Sequence, residues 1–295
     1  MTRVAAVDLG TNATRLLVAD VDGGRVDEVV RRTRITRLGE GVDARRRLLP
    51  TSVARVRNVL SDYRREAEEL GAERVLAVGT SAVRDAENGE AFLGEVEWSY
   101  GFATRLLTGE EEAALTRRGV GDLPAASLLL DIGGGSTELS VDGTSVSLDI
   151  GSVRLTERFL ASDPPTEDEL ERAAGAIRTL LPPWSARTVV AVDGTVAELA
   201  ALARADTVPR AFVEEQLRVF GAIDAAARRP LLRLEPDRAD AIVAGVLIAR
   251  EVLAHFDVDA ITHSGRDLLD GAVLEAVELA APEEDPAPPG AFTCC

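Results

Sequence analysis

Two short segments 123 residues apart constrain this chain more than any other feature. Val4-Ala-Ala-Val-Asp8-Leu-Gly10-Thr11-Asn12 is an apolar run ending in Asp-x-Gly. Leu128-Leu-Leu-Asp131-Ile-Gly133-Gly134-Gly135-Ser136-Thr137 is the same device again. Each leads into a second β-rich run, residues 15–20 and 138–141, and then into a turn signal, Asp22-Gly23 and Asp142-Gly143. The first aspartate and the turn aspartate are 14 residues apart in one copy and 11 in the other, so the repeat is structural rather than close. A strand–turn–strand device opening each half predicts two related domains that face each other.

The intervening sequence alternates in βα fashion, which makes this an α/β chain. Pro50-Thr51-Ser52 starts a helix whose apolar positions, Val53, Val56, Val59, Leu60, Tyr63, Ala67 and Leu70, follow helical spacing up to Gly71. Strands are predicted at 75–78 and 103–107, and helices at 86–100 and 110–119. In the second half the capping box Thr166-Glu-Asp-Glu169 opens a helix to residue 181. A strand at 188–192, a long helix at 239–255, a strand at 259–262 and a closing helix at 267–280 follow. The expected division is a first domain at 1–118, a second at 119–281, and a disordered Pro-rich tail at 282–295, with the last helix packing back on the first domain.

Composition narrows the function. No apolar run approaches the ~20 residues of a membrane-spanning helix, and no signal-like segment precedes the first strand, so the expectation is a cytoplasmic protein without a membrane partner. The two cysteines, Cys294 and Cys295, are adjacent and build neither a disulfide framework nor a zinc site. His255 and His263 are too few and too far apart for a metal cluster. Net charge is −17, aromatic content is 4%, and nucleic acid is not an expected partner. The charge is uneven: residues 25–65 carry 12 arginines against 5 acids. Arg31, Arg32, Arg34, Arg37, Arg45, Arg46 and Arg47 form a segment that either carries a polyanionic chain or is a solvated surface in a chain without lysine.

The two Asp-x-Gly loops carry the chemistry. Glycine at a strand end lets backbone approach a ligand, and successive N–H groups form an anion-binding concavity. Gly10, Thr11 and Asn12 on one side and Gly133, Gly134, Gly135, Ser136 and Thr137 on the other are therefore candidate phosphate-binding residues, with hydroxyls adding donors. Asp8 and Asp131 are placed to hold a hard cation such as Mg2+, with Mn2+ as a second candidate. A third loop, Asp193-Gly194-Thr195, follows an apolar strand and opens a helix, so Gly194 and Thr195 can address the same anion. Glu110-Glu111-Glu112 reads first as a solvated helix start, with one carboxylate free to turn inward as a base on water.

Asp8-Leu-Gly-Thr-Asn12, Thr80-Ser-Ala-Val-Arg84, Gly109-Glu-Glu-Glu-Ala113 and Asp131-Ile-Gly-Gly-Gly-Ser-Thr-Glu138 together resemble the exopolyphosphatase/guanosine pentaphosphate phosphatase (Ppx/GppA) family. Gly151-Ser-Val-Arg154-Leu-Thr156 and Ser264…Asp267-Leu-Leu-Asp270-Gly271 extend the resemblance to about residue 280. It implies two RNase H-like domains of the actin/hexokinase/Hsp70 (ASKHA) architecture with the active site between them. It implies that Glu112 is the catalytic glutamate, that Asp131 and Glu138 are metal-binding or catalytic carboxylates, and that Arg84 is an arginine suited to clamping phosphate. It implies Mg-dependent hydrolysis of the terminal phosphoanhydride of inorganic polyphosphate, with short chains favoured in a two-domain member. Guanosine pentaphosphate (pppGpp) is the alternative substrate, and a homodimer is the assembly common in the family. An ASKHA-type kinase or a non-catalytic ATP-binding protein is the more distant alternative. The chain departs from the family at Ala13, where Ser is usual, at Gly79, at Gly265-Arg266, and at Val196-Ala197-Glu198, where an acid is expected to oppose phosphate.

Overall fold

The computed structural model describes residues 1–192 and 194–279. Asp193 and the predicted tail at 282–295, with Cys294 and Cys295, lie outside the described residues. The first half contains β1 (Thr2–Leu9), β2 (Ala13–Asp22), β3 (Arg25–Ile35), α1 (Val42–Arg45), α2 (Pro50–Glu69), β4 (Val75–Gly79), α3 (Ser81–Asp85), α4 (Gly89–Tyr100), β5 (Ala103–Leu106) and α5 (Gly109–Val120). The second contains β6 (Ser127–Ile132), β7 (Thr137–Val141), β8 (Thr144–Leu148), α6 (Ser152–Phe159), α7 (Glu167–Leu180), β9 (Thr188–Ala191), α8 (Gly194–Ala203), β10 (Thr207–Pro209), α9 (Arg210–Gly221), α10 (Ala225–Arg228), α11 (Ile242–His255), β11 (Ala260–His263) and α12 (Leu268–Ala276).

The repeat in the sequence is a repeat of topology. The first sheet has the order β3-β2-β1-β4-β5, and the second runs β8-β7-β6-β9-β11 with β10 added at the edge. In each, the Asp-x-Gly strand is central. It pairs antiparallel with the hairpin that follows it and parallel with a later strand, β4 or β9. This is the duplicated RNase H-like arrangement of the ASKHA architecture.

Period-2 alternation explains why β1 reads as an unbroken apolar run. Ala5, Val7 and Leu9 enter one core with Val53, Val56 and Leu60 of α2. Val4 and Ala6 enter another with Leu268, Leu269, Ala272 and Ala276 of α12. The last described helix thus packs on the first sheet although it follows the second.

Some expected elements differ. The helix expected over 86–100 is two, α3 and α4, because a side chain at Gly89 would strike the Val83 carbonyl and Asn88 instead bonds the backbone of Leu48. The helix expected from 239 begins at Ile242, after a 3-10 turn at Pro236–Arg238. Helices α6 and α9 were not anticipated.

The helices α5 and α12 cross where neither tolerates a side chain. A Cβ at Gly119 would lie 2.1 Å from the Asp267 carbonyl oxygen, and one at Gly271 would lie 2.0 Å from the Leu115 carbonyl oxygen. Both obstacles are backbone, so relief requires the helices to move apart. Gly271→Ala is expected to cost about 1–3 kcal/mol through this overpacking, read as a lowered thermal unfolding midpoint. An unchanged midpoint would mean the crossing adjusts without strain.

Candidate active site

A cleft of about 300 Å3 lies between the two sheets, lined by Asp8, Gly10–Asn12, Arg15, Glu112, Asp131 and Gly133–Ser136 among others. Its two loops are anchored from behind through their carbonyls. Thr11 O accepts from the Gly39 N–H and Asn12 O from those of Thr36 and Arg37. Gly133 O accepts from the Ser152 N–H and Gly134 O from those of Val153 and Arg154. In a trans peptide the N–H points opposite to the C=O. The N–H groups of Asn12, Ala13, Gly134 and Gly135 therefore point away from these anchors, and all four residues line the cleft. The Gly10 N–H is different: it closes the turn on Ala13 O. The loops also touch each other. A Cβ at Gly134 would come within 2.9 Å of Thr11 Cβ, and one at Gly135 within 2.4 Å of Ser81 Oγ.

Glu112 enters the cleft from the first turn of α5. Thr108 caps that helix and forms a reciprocal capping box with Glu111, which also pairs with Arg105. The capping residue sets the helix phase, so Glu112 is 6% exposed while Glu110 faces solvent. Gly109 lets the helix start seat on β8, since a Cβ there would lie 2.3 Å from Ser147 Cβ. Burial pushes the Glu112 carboxyl well above the usual carboxylate range, and the charges of Glu138, Asp131 and Asp8 push it further, against a pull downward from Arg84. Arg84 does not line the cleft. It donates to Leu107 O at 2.6 Å and to Glu112 Oε2 at 3.3 Å, so here it steadies Glu112 rather than reaching for phosphate.

The two aspartates have opposite company. Across its hairpin Asp8 pairs with Arg15, and Asp131 pairs with Glu138 at the same seven-residue spacing. Directly opposed residues share a face of the sheet. Arg15 donates to Asp8 Oδ2 at 2.9 Å and to Asp267 Oδ2 at 2.7 Å, and Arg31 joins Asp267 to Asp270. Burial still raises the Asp8 carboxyl, with Arg15 acting against it. Glu138 accepts from Ser147 Oγ at 2.7 Å and is likewise raised by burial. Sequence reasoning did not place Arg15 in the site. The signal was its position opposite Asp8 in the hairpin.

Among the described residues no three His, Cys, Asp or Glu side chains form a ready-made metal cage, so Asp8, Asp131 and Glu138 do not make one set. Asp8 is already neutralised by Arg15. Asp131 and Glu138 are a like-charged pair across one hairpin, and Glu138 Oε2 is buried with no hydrogen bond to any described residue. Asp8 Oδ1 and Ser136 Oγ are orphaned in the same way. A cation with one or two carboxylates and the rest of its shell from phosphate and water fits such a donor set.

Of the remaining expected phosphate ligands, Gly194 lines the cleft, but Thr137 and Thr195 do not. Thr137 Oγ1 donates to Ile150 O at 2.6 Å, and Thr195 packs beneath Gly245. Glu198, expected to oppose phosphate, turns away from the cleft. It is buried and accepts the N–H groups of Arg233, Leu234 and Glu235 at 2.5, 2.9 and 3.4 Å. The arginine segment is dispersed: Arg31 reaches the cleft, Arg32 pairs with Glu66 and Arg37 with Asp240.

Comparison with known proteins agrees with this geometry. Residues 17–280 match the Ppx/GppA phosphatase family. The chain is 40% identical to Exopolyphosphatase 2 of Mycobacterium tuberculosis, covering 93% of this chain and 98% of that one. It is 28% identical to a guanosine-5'-triphosphate,3'-diphosphate pyrophosphatase of Vibrio campbellii, covering 93% of this chain and 59% of that one. Among solved structures, an Aquifex aeolicus Ppx/GppA family member superposes with a TM-score of 0.76 at 30% identity, over 94% of this chain and 98% of that one. An exopolyphosphatase-like protein superposes with a TM-score of 0.86 at 31% identity, over 93% of this chain and 97% of that one. No described helix is long and apolar enough to cross a membrane. The chain belongs to the Ppx/GppA phosphatase family and is a phosphoanhydride hydrolase.

Proposed function

We propose that this protein is a divalent-metal-dependent exopolyphosphatase that removes the terminal phosphate from short polyphosphate chains. The observation that carries the reading is Glu112, a buried carboxylate steadied by Arg84 and aimed into a cleft between two phosphate-sized backbone loops. Glu112 orients a water in line with the terminal phosphorus and takes its proton. The new bond joins the water oxygen to phosphorus, and the bridging P–O bond breaks toward the shortened chain. The N–H groups of Asn12, Ala13, Gly134 and Gly135 bind the oxygens of the transferred phosphoryl group, where charge spreads in a loose transition state.

The cleft is acidic for a phosphate site. Its described lining holds Asp8, Glu112, Asp131, Glu235 and Asp267 against Arg15, Arg31 and Arg238. A polyanion enters such a surface with a counter-cation, which supports Mg2+ or Mn2+ near Asp131 and Glu138. The cation supplies charge neutralisation for the transferred and leaving phosphates. Chelation is expected to abolish phosphate release, with either ion restoring it; full activity in chelator would refute the metal requirement.

The deciding experiment measures phosphate release from short and long polyphosphates, pppGpp and ATP, with Glu112→Gln alongside. Release from polyphosphate that falls by orders of magnitude in the variant, with substrate affinity retained, supports both substrate and base. Preference for pppGpp keeps the mechanism and changes the substrate, and silence on all of them favours the kinase or ATP-binding alternative.

The pH profile tests the arrangement around the base. Glu112 works deprotonated and its carboxyl is raised, so activity is lost on acidification with a midpoint above about 4.3, the ordinary glutamate value. Arg84 lowers that carboxyl, so Arg84→Gln is expected to move the acid limb to higher pH. Raising Mg2+ is expected to move it to lower pH. A limb unmoved by either change would remove Glu112 as the titrating base.

A further inference from the structure

One wall of the cleft, residues 232–240, takes no part in the chemistry above, and it is fastened from both domains. Within the second domain Glu198 accepts three consecutive backbone N–H groups from Arg233 to Glu235. From the first domain Arg37 donates to the Asp240 carboxylate and to Asp237 O. A segment held at both ends across an interdomain cleft bounds the space between the domains. It presents Leu234, Glu235 and Arg238 to the cavity.

This surface is ill-suited to phosphate. Leu234 is 51% exposed, the largest exposure among the described large hydrophobics apart from Met1 and Trp98, and offers phosphate oxygens no donor. Glu235 beside it adds a negative charge. The groups that face Glu235 are Arg238 on the same segment, Arg34 from β3, and the acids Asp237 and Glu198. Burial pushes its carboxyl up, as expected of an acid held in a partly enclosed acidic setting. The two loops offer a run of backbone donors; the Leu234-Glu235 wall interrupts it.

We propose that Leu234-Glu235 is a chain-length selector, a specificity wall that admits short polyphosphates and disfavours longer ones by like-charge repulsion and lack of donors. Glu198 acts as its positioning residue through the backbone. This inference rests on the exopolyphosphatase reading and deepens it.

The test compares wild type, Glu235→Gln and Glu235→Arg on tripolyphosphate and on long-chain polyphosphate at low and high ionic strength. The KM for long chains is expected to fall by about threefold to tenfold relative to that for tripolyphosphate, more for Arg than for Gln. Salt screens charge repulsion, so the gain is expected to shrink at high ionic strength. A purely structural effect of the substitution would move both lengths together and would not respond to salt in this way. Glu198→Gln, which loosens the same wall, is expected to narrow the length preference without moving the acid limb of the pH profile. Wild-type hydrolysis of polyphosphate with length-independent Glu235 variants overturns the selector alone. No hydrolysis of any polyphosphate by wild type overturns the exopolyphosphatase reading and the selector with it. Loss of pppGpp hydrolysis in Glu235→Gln with polyphosphate unchanged also overturns the selector, since the carboxylate would then be receiving donors from a base.

Discussion

The cleft depends on what stands across the hairpin from each aspartate. In the first domain Asp8 faces Arg15, and in the second Asp131 faces Glu138. Duplication placed the same hairpin on both walls, but one copy is charge-balanced and the other is doubly acidic. Like charges directly opposed on one face are destabilising, and burial makes them more so. With Glu112 packed against the acidic copy, the second-domain wall is where a cation and the attacking water belong. The first-domain wall, neutralised through Arg15, is suited to receiving phosphate on its backbone N–H groups.

Holding that arrangement requires rigid support, and the structure supplies it through backbone rather than through long side chains. Thr108 and Glu111 fix the phase of α5. Gly109 lets that helix sit against Ser147, whose hydroxyl in turn bonds Glu138. The crossing of α5 with α12 at Gly119 and Gly271 joins the helix carrying Glu112 to Asp267. Arg15 and Arg31 bind that aspartate from the first sheet. The helix carrying the base and the strand carrying Asp8 are thus connected through Asp267, although the sequence separates Asp267 from Arg15 by 252 residues.

Much of this was legible in the sequence because it is local. The Asp-x-Gly loops, the capping boxes and the period-2 run of β1 depend on neighbours within a few residues, and the repeat of the loops revealed the repeated topology. What escaped depends on contacts distant in sequence. Arg84 looked like a phosphate clamp, since an isolated arginine near a phosphate site has no visible competitor; its competitor is Glu112, 28 residues away. Glu198 looked like an acid opposed to phosphate, but three N–H groups more than 30 residues downstream draw it the other way. Thr137 looked like a donor to ligand, yet its place on β7 commits its hydroxyl to Ile150.

The same contrast explains how one phosphoanhydride site serves different substrates. The attacking water, the base and the transferred phosphoryl group need only the two hairpins and the first turn of α5, all of which are built from local sequence. Whatever follows the terminal phosphate meets residues 232–240, a segment whose place depends on Glu198 and on Arg37 from the other domain. Changes in that segment leave the capping box, the hairpin pairs and the helix crossing untouched. Chemistry and substrate choice are therefore carried by different parts of the fold, the first by short-range geometry and the second by a long-range tether.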